Sequence, residues 1–201
     1  MGDIFAIRAY SSNLDDWKFA YNGKIDRIRF ALPTRTLTWR GPGESVGDGC
    51  FSTNGNWEVV GHATQTVPGV LDAVSLPAGD YPVTLEDERV VDSLSVGAGA
   101  TLKLTLSKDG NGADGEVPLT IFGGLSTETG AGLALESRAF DKAHYQESAT
   151  LITCGTTSTA ALQTLADSFN AAAGRTLVTV EGGTRLVYTA PPPSGTIMIF
   201  R

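Results

Sequence analysis

The amino-acid sequence predicts a mainly β protein with two short helices, built as a solenoid or a sandwich. Three observations carry that expectation. Glycine is abundant, at 24 of 201 residues, and only 18% of residues are charged, below the roughly 25% of an average globular chain. Most of the chain divides into short apolar or alternating runs, each bounded by Gly, Pro, Asp or Asn. Runs of that length, so closely spaced, are the pattern of many short strands joined by tight turns.

The first element expected is a strand at 3–10. Ile4 and Ala6 fall on one face with the stem of Arg8, and Phe5, Ile7 and Ala9 fall on the other. Both faces are apolar, as in a central strand. Ser11, Ser12 and Asn13 then mark a turn. Asp15 is placed to cap a helix at about 16–29, whose stripe of Trp17, Ala20, Tyr21, Ile25 and Ile28 follows helical spacing. Lys24, Arg27 and Arg29 sit in its last turns, where cations suit the helix dipole, and Pro33 stops the element. This strand and helix need a surface to cover, and are expected to dock on the following β region or to pair with a second copy.

From residue 34 the strands follow. They are expected at 36–39, 57–60, 73–76, 81–85, 90–96, 101–106, 117–122, 132–136, 149–154, 176–181, 185–189 and 196–200. A second helix is expected at 159–173, with Leu162, Leu165, Ala166 and Phe169 on one stripe and Gly174 placed to end it in a left-handed conformation. The run Pro191, Pro192 and Pro193 is a stiff spacer before the last strand. The chain is thus expected to divide into 1–33 and 34–201.

Composition excludes several classes. The formal net charge is −7, with 15 basic residues scattered rather than clustered, so no nucleic acid is expected as a partner. No window approaches about 18 consecutive apolar residues, so no membrane span is expected. The start, Met1-Gly2-Asp3-Ile4, has neither a basic nor an apolar region, so a signal peptide of an exported protein is expected upstream of it. Cys50 and Cys154 are too far apart in sequence for a zinc knuckle or a redox pair. They are read as buried free thiols, with a disulfide as the alternative.

Two stretches resemble known families. Ile4, Ile7, Arg8 and Tyr10, then Leu14, Asn22, Asp26, Arg29 and Phe30, keep the spacing found at the C-terminal end of LamG-type, concanavalin-like lectin domains. Asp15, Asp16 and Trp17 depart from that pattern, and the lectin's ligand loops would lie upstream, so no binding residue carries over. Residues 36–106, and more weakly the chain to 201, resemble the repeats of autotransporter-like passenger proteins. The matching residues are Thr38-Trp39-Arg40-Gly41, Asn56-Trp57, then Asp72, Val74, Leu76 and Gly79, and lastly Val91, Ser93, Leu94, Val96, Gly99, Ala100 and Leu102. This second resemblance implies a β-solenoid. The uneven repeat length and the helix at 159–173 keep the β-sandwich as the alternative.

Little in the chain points to catalysis. No nucleophile elbow, zinc-protease helix or phosphate loop is present. His62 and His144 have no partner at metal-ligand spacing, and two histidines without an elbow do not suggest a Ser-His-Asp triad. Glu86-Asp87-Glu88 reads as a turn, since glycoside hydrolysis needs carboxyl groups facing each other across a cleft. Asp109, Asn111, Asp114 and Glu116 offer oxygens to a hard cation, but Ala113 breaks the ligand phase, so no tight calcium binding is expected. Trp39 and Trp57 are read as core residues rather than sugar-stacking platforms. No catalytic, cofactor-binding or metal site is therefore assigned. The expectation is a non-catalytic structural or adhesin-like module of a bacterial exported surface protein, extracellular or at the cell surface. Its partners would be glycans or other surface proteins, and a carbohydrate-binding module is the alternative.

Overall fold

The computed structural model describes residues 35–40, 48–62, 65–107 and 117–192. The chain divides into two units, Met1–Pro33 and Thr34–Arg201, and every described residue belongs to the second. The expected strand at 3–10, the helix at 16–29, the loop at 109–116 and the strand at 196–200 lie outside the described residues.

The described protein is mainly β, in three sheets. Sheet A has the order β2-β1-β3-β6-β9, sheet B the order β10-β7-β4, and sheet C the order β12-β13-β11-β8-β5. The strands are β1 (Thr36–Trp39), β2 (Trp57–Val59), β3 (Ala73–Leu76), β4 (Tyr81–Leu85), β5 (Arg89–Val91), β6 (Ser93–Val96) and β7 (Ala100–Thr105). They continue with β8 (Leu119–Ile121), β9 (Leu125–Thr127), β10 (Gly132–Glu136), β11 (Ser148–Cys154), β12 (Val178–Glu181) and β13 (Arg185–Thr189).

The chain visits sheets A, B and C in that order three times, through β3-β4-β5, β6-β7-β8 and β9-β10-β11. Each new strand pairs in parallel with its predecessor in the same sheet. Alternation along the strands explains the core. In sheet A, Leu37, Val74, Leu94 and Leu125 share one register position, and all four are buried. Val83 and Leu85 in sheet B stand beside Leu102 and Leu104, and Val91 in sheet C beside Ile121 and then Cys154. These rows belong to one apolar cluster that draws on all three sheets. Full burial of each such side chain contributes about 2 kcal/mol.

The expected run at 90–96 is two strands, because the chain turns a corner at Asp92. The corner stacks on its neighbours through backbone hydrogen bonds. The N–H of Asp92 donates to the Asp72 carbonyl at 3.0 Å, and the N–H of Gly123 donates to the Asp92 carbonyl at 2.6 Å. The N–H of Thr156 then donates to the Gly123 carbonyl at 3.2 Å. The same corner demands glycine nearby, since a Cβ at Gly155 would lie 1.9 Å from the Phe122 carbonyl oxygen. Strand β9 was not expected from sequence: Leu-Ser-Thr is too short to show a period, and it forms because β6 offers it a template.

Two helices are described. The helix α2 (Thr159–Ala173) is the one expected, ending at Gly174 with φ of 64°. The other, α1 (Arg138–Ala143), corrects the expectation that helix would be confined to 16–29 and 159–173. Its six residues bury only Phe140, so no helical period is visible in sequence. Tertiary contacts hold it instead: Phe140 packs near Tyr188, with ring centroids 6.3 Å apart, and the Tyr188 hydroxyl donates to Asp141 Oδ1 at 2.9 Å. A turn of 3-10 helix at Asn54–Asn56 precedes β2.

At the first corner, Asp72 is 2% exposed. Its carboxylate accepts from Arg35 Nε at 2.8 Å and Arg35 Nη2 at 2.7 Å, and from the Gly69 N–H at 2.8 Å. This bidentate pair holds the Arg35 guanidinium above its ordinary pKa, chiefly through the hydrogen bond. Replacing Asp72 with Ala removes the acceptor of the Gly69 N–H and of the half-exposed Arg35 guanidinium, and is expected to lower the unfolding free energy by about 1 kcal/mol. Chemical denaturation measures this, with Ser95→Ala as a control that changes stability by less than about 0.5 kcal/mol. Equal losses in the two variants would show that the clamp contributes nothing special.

Candidate functional site

The solvent face of sheet A carries the most regular polar surface. Thr38, Ser75, Ser95 and Ser126 occupy one register position across β1, β3, β6 and β9. Strand spacing sets these hydroxyl-bearing residues about 4.8 Å apart. Strand alternation turns them outward, because their neighbours Leu37, Val74, Leu94 and Leu125 turn into the core. A shallow groove of about 190 Å3 runs along this face, lined by Ser75, Pro77, Ser95, Gly97, Ser126 and Glu128 among others. Gly97 lets two neighbouring turns approach closely, since a Cβ there would meet the Ala78 nitrogen at 2.4 Å. Glu128 closes one end, its carboxylate accepting from the Ala98 N–H at 3.0 Å. Such a surface can hydrogen-bond a polar ligand. Sequence reading missed it, because a serine in one strand gains meaning only when parallel register lines it up with others.

The residues singled out from sequence are placed elsewhere. Trp39 and Trp57 do lie side by side, with ring centroids 5.0 Å apart at 78°. They are 3% and 0% exposed, so neither is a platform for a sugar. Tyr81 stacks on Trp39 at 6.3 Å, and Phe51 meets Trp57 edge-on at 4.8 Å. The Trp57 indole N–H donates to the Phe51 carbonyl at 2.8 Å. Beside this cluster, Asp48 accepts from the Cys50 N–H, the Thr53 hydroxyl and the Asn56 amide at 2.9, 2.8 and 3.0 Å. These bonds, that from Cys50 first, hold its carboxyl below the usual carboxylate value.

Within Glu86-Asp87-Glu88, Asp87 is engaged by Arg89 and by the Ser52 hydroxyl at 3.0 Å. It forms an ion pair within the turn. His62 is exposed after β2, with its N–H on the Val59 carbonyl. His144 follows α1, where its ring stacks on Phe140 at 5.2 Å and Nδ1 lies 2.9 Å from Glu147 Oε2. The structure does not bring the two histidines together. A Ser-Asp-Tyr triangle does form: Ser137 Oγ donates to Asp141 Oδ2 at 2.9 Å and lies 3.2 Å from the Tyr188 hydroxyl. With the Asp141 carboxylate accepting from both hydroxyls and no imidazole beside Ser137, it ties α1 to β13. Among the described residues, no group of three or more His, Cys, Asp and Glu is placed to hold a metal ion. No family model, curated protein or solved structure matches the chain.

Both cysteines are free thiols, Cys154 buried and Cys50 half-buried. Cys50 bridges to Thr84 in β4, which pairs with Lys103 in β7 and so leads to Ala134 in β10. Cys154 closes β11, the strand that follows β10. About three strand spacings, roughly 14 Å, thus separate the two, twice the limit of about 7 Å between Cα atoms for a disulfide. Burial pushes the Cys154 thiol up, with a partial offset from the Ser158 hydroxyl. Thiol-reagent titration is expected to modify Cys50 first and Cys154 slowly until the protein unfolds. Equal rates, or no free thiol after unfolding, would contradict this placement.

Burial also raises the phenols. Tyr81, whose hydroxyl donates to the Pro77 carbonyl, is pushed up to about 12. Tyr188 is raised as well, first by burial. The folded state therefore holds protons that the unfolded chain releases around the ordinary phenol value of about 10. Stability is full below pH 10 and falls as pH rises toward 12. Denaturant titrations are expected to show stability falling between about pH 10 and 12 while tyrosinate absorbance from these two residues is delayed beyond about pH 10; ionisation of both near pH 10 in an intact fold would count against it.

Proposed function

We propose that the chain is a non-catalytic structural or adhesin-like module of a bacterial exported surface protein, folded as a short β-solenoid. The observation that carries this reading is the repeated order of sheets A, B and C, taken three times with in-register parallel pairing. A repeat whose strands pair only with the preceding and following copies builds a rod from small units, and a rod is suited to spacing and presenting other parts of a surface protein. The candidate catalytic groups support the same reading, since His144, Asp87 and Asp141 are each committed to local contacts. The low charge and the hydroxyl-rich outer face of sheet A fit an extracellular or cell-surface location. The antiparallel pairs β1-β2 and β11-β13-β12 are what a sandwich would share.

A second reading, a carbohydrate-binding module, rests on the groove across Ser75, Ser95 and Ser126. The buried tryptophans remove the stacking platform that usually supplies much of such binding.

Spin-label pairs at Ser75 and Thr84, Ser95 and Lys103, and Ser126 and Ala134 test the solenoid, because register makes them equivalent. Three equal distances are expected; clearly unequal ones would replace the solenoid with a sandwich. For function, purified protein is expected to turn over no ester, peptide or glycoside and to be retained by no glycan on an array. Turnover would overturn the non-catalytic reading. Retention that Ser95→Trp abolishes would place carbohydrate binding first.

A further inference from the structure

We propose that α2 is an edge cap that keeps the C-terminal end of this module from pairing with a second copy of the chain. The inference rests on the solenoid reading above. Among the described residues, at that end sheet A stops at β9, sheet B at β10 and sheet C at β12, and α2 packs against all three strands. An end strand in a sheet presents unpaired N–H and C=O groups, which template another strand. One helix answers them in each sheet. Ser158, at the helix start, accepts from the Leu125 N–H of β9 at 3.0 Å. Ser168 accepts from the Leu133 N–H of β10 at 3.3 Å. Asn170 pairs with β12 much as a neighbouring peptide group would: Oδ1 accepts from the Leu177 and Val178 N–H groups at 2.8 and 2.9 Å, and Nδ2 donates to the Val178 carbonyl at 2.8 Å.

The occupant the cap excludes is another copy, placed head to tail. Sheets A and C each contain five strands, but they overhang at opposite ends. Sheet A carries β1 and β2 before the first repeated strand, and sheet C carries β13 and β12 after the last. A copy shifted by five strands would continue both sheets, with β12 of one molecule meeting β5 of the next. Strand β5 offers the matching edge. The Arg89 N–H donates to the Pro118 carbonyl and the Val91 carbonyl accepts from Phe122, so residues 89 and 91 turn to β8 and the N–H and C=O of Val90 turn to the open side. The step beside β9, which the next copy's β1-β2 overhang would fill, is where α2 lies, and the helix extends over β10 as well.

The test undocks the helix in the full chain. Leu162 and Leu165 are both 0% exposed, and Leu162→Asp with Leu165→Asp removes their grip. Light scattering across a concentration series is expected to show the wild type as one chain and the variant as two or more. Amide exchange is expected to leave β6, β7 and β8 protected. Adding Val90→Pro, which removes the donor on the open side of β5, is expected to return the variant to one chain. A milder variant, Ser158→Ala with Ser168→Ala and Asn170→Ala, keeps the apolar contacts and is expected to self-associate at concentrations at least tenfold below any association of the wild type. The proposal is overturned if the undocked variant stays monomeric with a protected core, or if its oligomers survive Val90→Pro. It is equally overturned if both helix variants lose protection throughout, for α2 is then part of the fold rather than a cap upon it. Equal spin-label distances in the wild type beside any of these outcomes would sink the cap and leave the solenoid standing.

Discussion

Every strand in a parallel sheet has two hydrogen-bonding edges, and a stack of strands must end somewhere. Much of this structure answers that constraint. Within the stack each strand satisfies the next, and the repeated path through the three sheets adds a neighbour on every pass. At the ends the chain changes method. Antiparallel β2 covers β1 in sheet A, and the segment around Cys50 pairs with β4 in sheet B. Beyond the last parallel strands, β13 and β12 extend sheet C in antiparallel fashion, and α2 lies across the rest.

The interior follows from the same pairing. In-register parallel strands stack like residues above like, so one apolar position becomes a row. Leu37, Val74, Leu94 and Leu125 form such a row, and large aromatics are concentrated where rows end. Trp39, Trp57, Phe51 and Tyr81 fill the core at the β1 end, while Phe140, Phe169 and Tyr188 gather near α1 and α2. The corner around Asp92 is held by backbone bonds, while side chains take part at others: Arg35 locks onto Asp72, Arg89 and Ser52 hold Asp87, and Glu128 accepts from the Ala98 N–H.

The outside of the stack repeats as faithfully as the inside. Thr38, Ser75, Ser95 and Ser126 are aligned by the register that buries their neighbours. A flat, weakly charged, hydroxyl-bearing face suits a spacer exposed to solvent, and it also suits a polar ligand. The side chains with stronger chemistry are spent on structure: Asp48 caps a turn, Asp87 pairs with Arg89, and Asp141 ties Tyr188 to α1. That distribution is what supports a non-catalytic reading.

Local pattern was enough to read most strands and α2 from sequence. β1, β3, β4, β10 and β13 fall where alternation and turn residues put them, because a period of two and a bounding Gly or Pro are properties of neighbouring residues. Where long-range contacts decide, that reading missed. It joined β5 to β6 across the Asp92 corner, overlooked β9, and overlooked α1, which depends on Tyr188. The hydroxyl row of sheet A was equally hidden, since nothing local says that Ser75, Ser95 and Ser126, scattered over 51 positions of sequence, share one line. The sequence by itself determined where most strands and α2 lie, and that Trp39 and Trp57 belong to the core. Only the tertiary structure decided which strands are neighbours and what covers the ends, because pairing partners are chosen by backbone hydrogen bonds that every residue except proline can make alike.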